Sequence, residues 1–242
     1  MVEIKIDNGE NMAKCINAIT SLIDEANLEF SSEGMRIFAL ENSSIALVDF
    51  KMPRSAFSKF EVKENDKLGI DFDMLNKILS RARAGDSVIL KKENEEKLSI
   101  ILSNQTSSRK FKTNSIKVNR EAKNINLKPE VEFKINKSIL ENALKDTLSI
   151  TEVITISVSK EGLKISATGS GLEIEGMCDS QITSENKIKG TFNFAYLNSM
   201  IKGCDKDNDI SIKLANDEPI SLSYTIGDAN ITFVLAPYIE GE

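Results

Sequence analysis

The stretch "FSSEGMRIFA", Phe30–Ala39, returns later in the chain as "VSKEGLKISA", Val158–Ala167. Both read apolar, Ser, any residue, Glu-Gly, apolar, basic, Ile. A Glu-Gly pair between two alternating apolar runs signals a tight turn between strands. The echo extends on both sides of the phrase. Upstream, Ile4–Ile23 ("IKIDNGENMAKCINAITSLI") parallels Phe133–Thr151 ("FKINKSILENALKDTLSIT"): each is a short alternating strand, a polar turn and an amphipathic helix. Downstream, "DFDMLNKIL" (Asp71–Leu79) parallels "NFAYLNSMI" (Asn193–Ile201). "DSVILKKENEEKLSI" (Asp86–Ile100) then parallels "NDISIKLANDEPISL" (Asn208–Leu222). Segments that recur in one order describe a duplicated domain, expected over residues 1–118 and 131–242. The stretch 119–130, "NREAKNINLKPE", has no copy. It is polar, carries both charge signs and holds Pro129 near its end, so it reads as a connector.

Within each copy the order is strand, helix, several strands, helix, several strands. "ANLEF", "GMRIFAL", "SIALVDFKM", "DSVILKK" and "KLSIIL" alternate or run apolar. The turns between them are short, which favours antiparallel hairpins over parallel crossovers. The expected fold is α+β, with antiparallel sheets and two helices on one face of each domain. The inward stripes read as Met12, Cys15, Ile16, Ile19, Leu22 and Ile23; then Met74, Leu75, Ile78 and Leu79; then Ile139, Leu140, Ala143, Leu144 and Leu148; then Tyr196, Leu197, Met200 and Ile201.

Composition narrows the chemistry. The 242 residues contain no histidine, which removes the commonest general base and most zinc sites. Three widely spaced cysteines, Cys15, Cys178 and Cys204, suit a reducing compartment rather than a disulfide framework. No phosphate-cradling glycine motif is present; "TGSGLEIEG" reads as a turn between strands. No apolar run approaches the ~18 residues that span a membrane. The polar, acidic start "MVEIKIDNGE" lacks the pattern of a signal peptide, so a mature cytoplasmic protein is expected. No catalytic residue, cofactor or metal is expected. Glu33 and Glu161, repeated in the Glu-Gly turns, read as turn chemistry, and no acid pair sits in an apolar setting.

The net charge of −6 argues against simple nucleic-acid binding. Its distribution argues otherwise. The solvent faces and C-terminal turns of the four helices carry Lys14, Lys77, Arg81, Arg83, Lys145, Lys202 and Lys206, against Glu10, Glu141 and Asp205. Most other acids lie in turns and tails, such as "KKENEEK" and "YIEGE".

These residues resemble the DNA sliding clamp family, that of proliferating cell nuclear antigen, in its archaeal form. The likeness rests on "LIDEANLEFSSEGMRIFALENSSIALVDFKMPRSAF" (Leu22–Phe57), "DMLNKIL", "RKFKT" (Arg109–Thr113) and "FVLAPYIEGE" (Phe233–Glu242). The resemblance implies a closed ring of three protomers around double-stranded DNA, held topologically and without sequence preference. Helices would line the hole, with Lys14, Lys77, Arg81, Lys145, Lys202 and Lys206 facing DNA. It implies a pocket for a short client peptide at Leu40, Ile45, Leu47, Ile125, Leu127, Pro219, Val234, Leu235, Ala236 and Pro237. DNA polymerase, clamp loader, flap endonuclease and DNA ligase are the implied clients. It implies a subunit contact between the strand around "SSRKFKT" and the strand around "LEIEGMCDS". Arg81, Arg83, Arg109, Lys110 and Phe111 would stand on one side, and Asp146, Glu173, Glu175 and Met177 on the other. Two alternatives remain open at this point: one subunit of a heterotrimeric clamp, and a protein-only adaptor built from duplicated α+β domains.

Overall fold

A computed structural model describes residues 2–94, 96–120, 122–147, 152–169 and 171–239. Among the described residues there are four α-helices: α1 (Gly9–Thr20), α2 (Phe72–Leu79), α3 (Lys137–Thr147) and α4 (Phe194–Ile201). The strands before the connector are β1 (Glu3–Ile6), β2 (Glu25–Ser31), β3 (Gly34–Leu40), β4 (Ala46–Pro53), β5 (Lys59–Glu61), β6 (Lys67–Asp71), β7 (Ser87–Lys92), β8 (Lys97–Ser103) and β9 (Ser108–Asn114). After it come β10 (Val131–Asn136), β11 (Val153–Ser159), β12 (Gly162–Gly169), β13 (Leu172–Asp179), β14 (Ile188–Asn193), β15 (Asp209–Leu214), β16 (Ile220–Ile226) and β17 (Ala229–Leu235).

The chain divides into two units. The first holds Met1–Ala122 and Thr225–Ile231; the second holds Lys123–Tyr224 and Thr232–Glu242. The division falls inside the stretch read as a connector. In the first unit one sheet runs β5-β1-β7-β8-β9 and another strand series runs β4-β3-β2-β6. In the second, β13-β12-β11-β14 form one sheet, and β10-β15-β16 lie side by side before β17. The β2–β3, β3–β4 and β7–β8 pairs are antiparallel, as are β8–β9, β11–β12 and β12–β13.

The repeated phrase closes the same hairpin twice. Ser31 pairs with Gly34 between β2 and β3, and Ser159 pairs with Gly162 between β11 and β12. In each turn the serine Oγ accepts the backbone N–H of the glutamate two residues on, at 3.2 Å in both. Gly34 and Gly162 sit at φ +135° and +123°. A Cβ at Gly34 would lie 2.2 Å from the Met52 carbonyl oxygen, and one at Gly162 would lie 2.6 Å from that of Asp179. Only glycine meets both demands.

Side-chain caps start the helices. Asn8 Oδ1 accepts from Asn11 N–H, Asp71 Oδ1 from Met74 N–H, and Asn193 Oδ1 from the Ala195 and Tyr196 amides. Met12, Cys15, Ile16, Ala18 and Ile19 bury one face of α1. Ile23 is also buried, though it lies past the helix end, and Leu22 is half-buried. The α2 stripe is Phe72, Leu75, Ile78 and Leu79. Met74, read as core, is 40% exposed. It stands about 100° round the helix from Leu75, off the stripe that Phe72 and Leu75 set. In α3 the buried apolar residues are Leu140 and Leu144, while Ile139 is 44% exposed beside β13. Ala143 is half-buried, and Leu148 lies outside the described residues. In α4 Leu197, Met200 and Ile201 are buried and Tyr196 is half-buried. The helix α1 packs on α2 in the first unit and α3 on α4 in the second.

Candidate functional site

The cations assigned to the helix faces all reach solvent: Lys14 on α1, Lys77 on α2, Lys145 on α3, and Arg81, Lys202 and Lys206 in the turns that follow α2 and α4. The charge on α3 is partly neutralised by its own helix. Glu141 receives Lys137 at 2.7 Å and Lys145 at 3.1 Å. Those two ammonium groups, Lys137 first, hold the Glu141 carboxyl below its ordinary range. Lys137 is a buried lysine, and Glu141 is what lets its charge stay there.

The apolar residues assigned to the peptide pocket fall into two kinds. Ile45 and Ile125 are exposed; Leu40, Leu127, Pro219, Ala236 and Pro237 are half-exposed. Leu47, Val234 and Leu235 are buried. Alternation explains the difference. Leu47 is the cross-strand partner of Leu40 and shares its face. Val234 lies on the face of Thr232, whereas Leu235 lies on the buried face of Ala229, Ile231 and Phe233. Leu235 is therefore a core residue of its strand, whereas Leu47 and Val234 are buried on the opposite face of theirs. In the second unit a small cleft gathers Ile125, Leu127 and Pro219 around Leu214 and Ala215.

Ile45 is presented by a rigid loop. The buried Glu41 carboxylate accepts the N–H groups of Ser43 (2.6 Å), Ile45 (2.9 Å) and Ala46 (3.4 Å). Ser44 adopts a left-handed φ of 65°. Arg120, at the start of the connector, donates to Ser44 Oγ at 2.6 Å and to the Asn42 carbonyl at 3.4 Å. Neither Glu41 nor Arg120 stands out in sequence. The nearest signal is the polar run "ENSS" before an apolar strand.

The strands assigned to the subunit contact both end their sheets. β9 is the last strand beside β8, and β13 the last beside β12. Arg109 is engaged within its own unit. Its guanidinium donates to the Asp86 carboxylate and, at 2.8 Å, to the Arg81 carbonyl. Asp86 also accepts the Arg83 amide at 2.7 Å and Asn104 Nδ2 at 2.8 Å, and the Arg83 amide leads the causes that lower its pKa. Lys110 lies 2.8 Å from Glu93, and Glu175 lies 2.8 Å from Lys164. Arg81, Arg83, Asp146, Glu173 and Met177 are exposed, and Phe111 is half-buried.

The thiols offer little nucleophilic chemistry at neutral pH. Burial pushes Cys15 up to about 12, and Cys178 and Cys204 to about 11. Among the described residues no group of three or more carboxylates and thiols is placed to hold a metal ion. Nor is any helix among them long and apolar enough to cross a membrane.

Comparison with known proteins agrees with this architecture. The profile of the proliferating cell nuclear antigen N-terminal domain matches residues 1–127, and that of its C-terminal domain matches residues 129–239. The DNA polymerase sliding clamp of Pyrococcus furiosus is 32% identical over 251 residues, with 98% of each chain covered. DNA polymerase sliding clamp 1 of Thermococcus kodakarensis matches to the same extent. Proliferating cell nuclear antigen from Thermococcus kodakaraensis superposes with a TM-score of 0.90 at 24% identity, covering 98% of this chain and 100% of that one. A. fulgidus proliferating cell nuclear antigen, solved with the C-terminal region of FEN-1 bound, superposes with a TM-score of 0.87 at 22% identity over the whole of both chains. The chain belongs to the proliferating cell nuclear antigen family, archaeal type.

Proposed function

We infer that this protein is a DNA polymerase sliding clamp that works without catalysis. Three copies close a ring around duplex DNA, and the ring tethers replication and repair enzymes. The observation that carries this reading is that β9 (7 residues) in one unit and β13 (8 residues) in the other are long edge strands with one side open. Two unlike edges of this kind allow copies to join head to tail, and a head-to-tail contact closes when the rotation per copy allows it. Lys14, Lys77, Arg81, Lys145, Lys202 and Lys206 then face DNA phosphates. Their contacts are few and hydrated enough to slide, since the counterions released by a handful of cations give only weak binding.

Clients attach by a short peptide: polymerase, clamp loader, flap endonuclease and ligase. Leu40, Ile45 and Leu47 of the first unit, and Ile125, Leu127, Pro219, Val234, Ala236 and Pro237 of the second, offer it apolar side chains. The bound FEN-1 segment on the A. fulgidus relative supports this mode. The protein acts in the cytoplasm, on the chromosome. The test is polymerase product length on primed circular and linear templates, with a clamp loader and ATP. Stimulation confined to topologically closed templates supports the reading. Equal stimulation on freely ended DNA overturns it.

A further inference from the structure

The loop between β3 and β4 closes on itself. The amides of Ser43, Ile45 and Ala46 end on the Glu41 carboxylate, and the Ser44 amide donates to the Glu41 carbonyl at 3.0 Å. Asn42 Nδ2 donates to the Asp24 carboxylate at 2.9 Å. The loop therefore keeps its shape without Arg120. The bonds from Arg120 to Ser44 Oγ and the Asn42 carbonyl serve the other partner, the connector. Upstream, the same segment is tied at Ile116, whose amide donates to the Gly69 carbonyl at 3.2 Å, and at Val118, whose carbonyl accepts Asn27 Nδ2 at 3.2 Å. Among the described residues Arg120 is the last tie on this side, and nothing in 122–129 makes a hydrogen bond or ion pair. The next tie is the Glu130 amide, which donates to the Leu214 carbonyl at 3.0 Å. Ile125, 47% exposed, lies five residues from each.

We propose that Arg120 is a positioning residue for client binding: it latches the start of the connector to the Ile45 loop, and so fixes where the segment bearing Ile125 and Leu127 departs. The proposal rests on the client-peptide reading above and adds what orders the connector before a peptide arrives. A chain extends at most ~3.3–3.6 Å per residue, so an anchored Arg120 confines Ile125 to a short radius. A peptide that meets a connector already placed has less to order, and ordering a loose segment detracts from the binding energy. The acceptors are neutral, a hydroxyl and a carbonyl, and exposed. Bonds of that kind are modest. They bias the connector toward one departure point without locking it, so it can still adjust to clients of different shape.

The test is titration calorimetry of the full chain with a peptide of the A. fulgidus FEN-1 C-terminal region, alongside melting curves and backbone 15N relaxation. S44G removes the hydroxyl and leaves a residue that readily holds the left-handed φ of 65°. R120A removes the other partner. Each should raise the dissociation constant about fivefold, with the melting curve unchanged. Order parameters should fall in 119–123 of the free protein, while those of 43–46 hold because Glu41 still binds their amides. S44G/R120A should bind no more weakly than the weaker single variant, because the same contact is lost in all three. If R120A weakens binding and S44G does not, Arg120 acts on the peptide directly and the latch is wrong. Unchanged affinity in both variants also overturns the latch and leaves the client reading standing. A wild-type chain that does not bind the peptide overturns the client reading, and this proposal with it.

Discussion

The guanidinium of Arg109, on the edge strand β9, is bonded to the buried carboxylate of Asp86, the residue just before β7. Through Asp86 it reaches the Arg83 amide and Asn104, and its other nitrogen reaches the Arg81 carbonyl. One ion pair thus holds the edge strand, the β8–β9 turn and the loop that carries two exposed arginines.

Replacing Asp86 with Asn should loosen all three together. The loss of the charge leaves Arg109 partly buried without its counter-ion, which is costly in itself. The thermal midpoint should drop on the order of 5 °C. Amide exchange should quicken in 81–86 and 104–109 ahead of the second unit. Uniform acceleration across both units would argue against a local node.

Acid should weaken the fold in a defined window. Lys59 and Lys91 lower the Glu3 pKa, and the Arg83 amide and Arg109 lower that of Asp86. Lys110 and Ser99 bring Glu93 to about 2, and Lys137 and Lys145 lower Glu141. Unfolded, these groups titrate at their ordinary 3.8 to 4.5. A depressed folded pKa gives stability that is present above the unfolded pKa and lost below it. Urea midpoints should therefore be level above pH ~5 and fall steadily between pH ~4.5 and ~2. E93Q should flatten the acid end of that curve.

The two kinds of pocket residue should separate in experiment. Ile45→Ala with Ile125→Ala should weaken a client-type peptide about tenfold or more, with the melting curve unchanged. Leu47→Ala should also lower stability, by about 2–5 kcal/mol, because its side chain is buried. Unchanged peptide affinity in the isoleucine pair, by titration calorimetry, would remove those residues from the pocket.

Reversing two helix-face charges, Lys77→Glu with Lys202→Glu, should cut loader-dependent polymerase stimulation by about tenfold at moderate salt. Peptide affinity should stay as it was. Full stimulation in that variant would clear α2 and α4 of a role at DNA.

The duplication was legible because its signals are local. The Ser-x-Glu-Gly turn is four residues long, and each apolar stripe is set by residues three and four apart on one helix. Parity was harder. Val234 and Leu235 are neighbours of similar character, and one step along a strand changes face; only the paired sheet tells which of them faces the core. Met74 and Ile139 misread for a related reason, since they flank the stripe and a short helix tolerates them in either place. The Asp86–Arg109 pair was not legible at all. Its members lie 23 residues apart, and several other carboxylates in the sequence offered Arg109 an equal match.

Glu141 receives two lysines from its own helix, and Lys145 is the one that reaches water. A phosphate that approaches Lys145 must therefore compete with a carboxylate that never leaves. In the proposed ring each such encounter would be brief, with a new phosphate replacing the old one at little net cost. On DNA the α3 face would act as a low-friction bearing: charged enough to keep the duplex centred, yet too well neutralised to stall it.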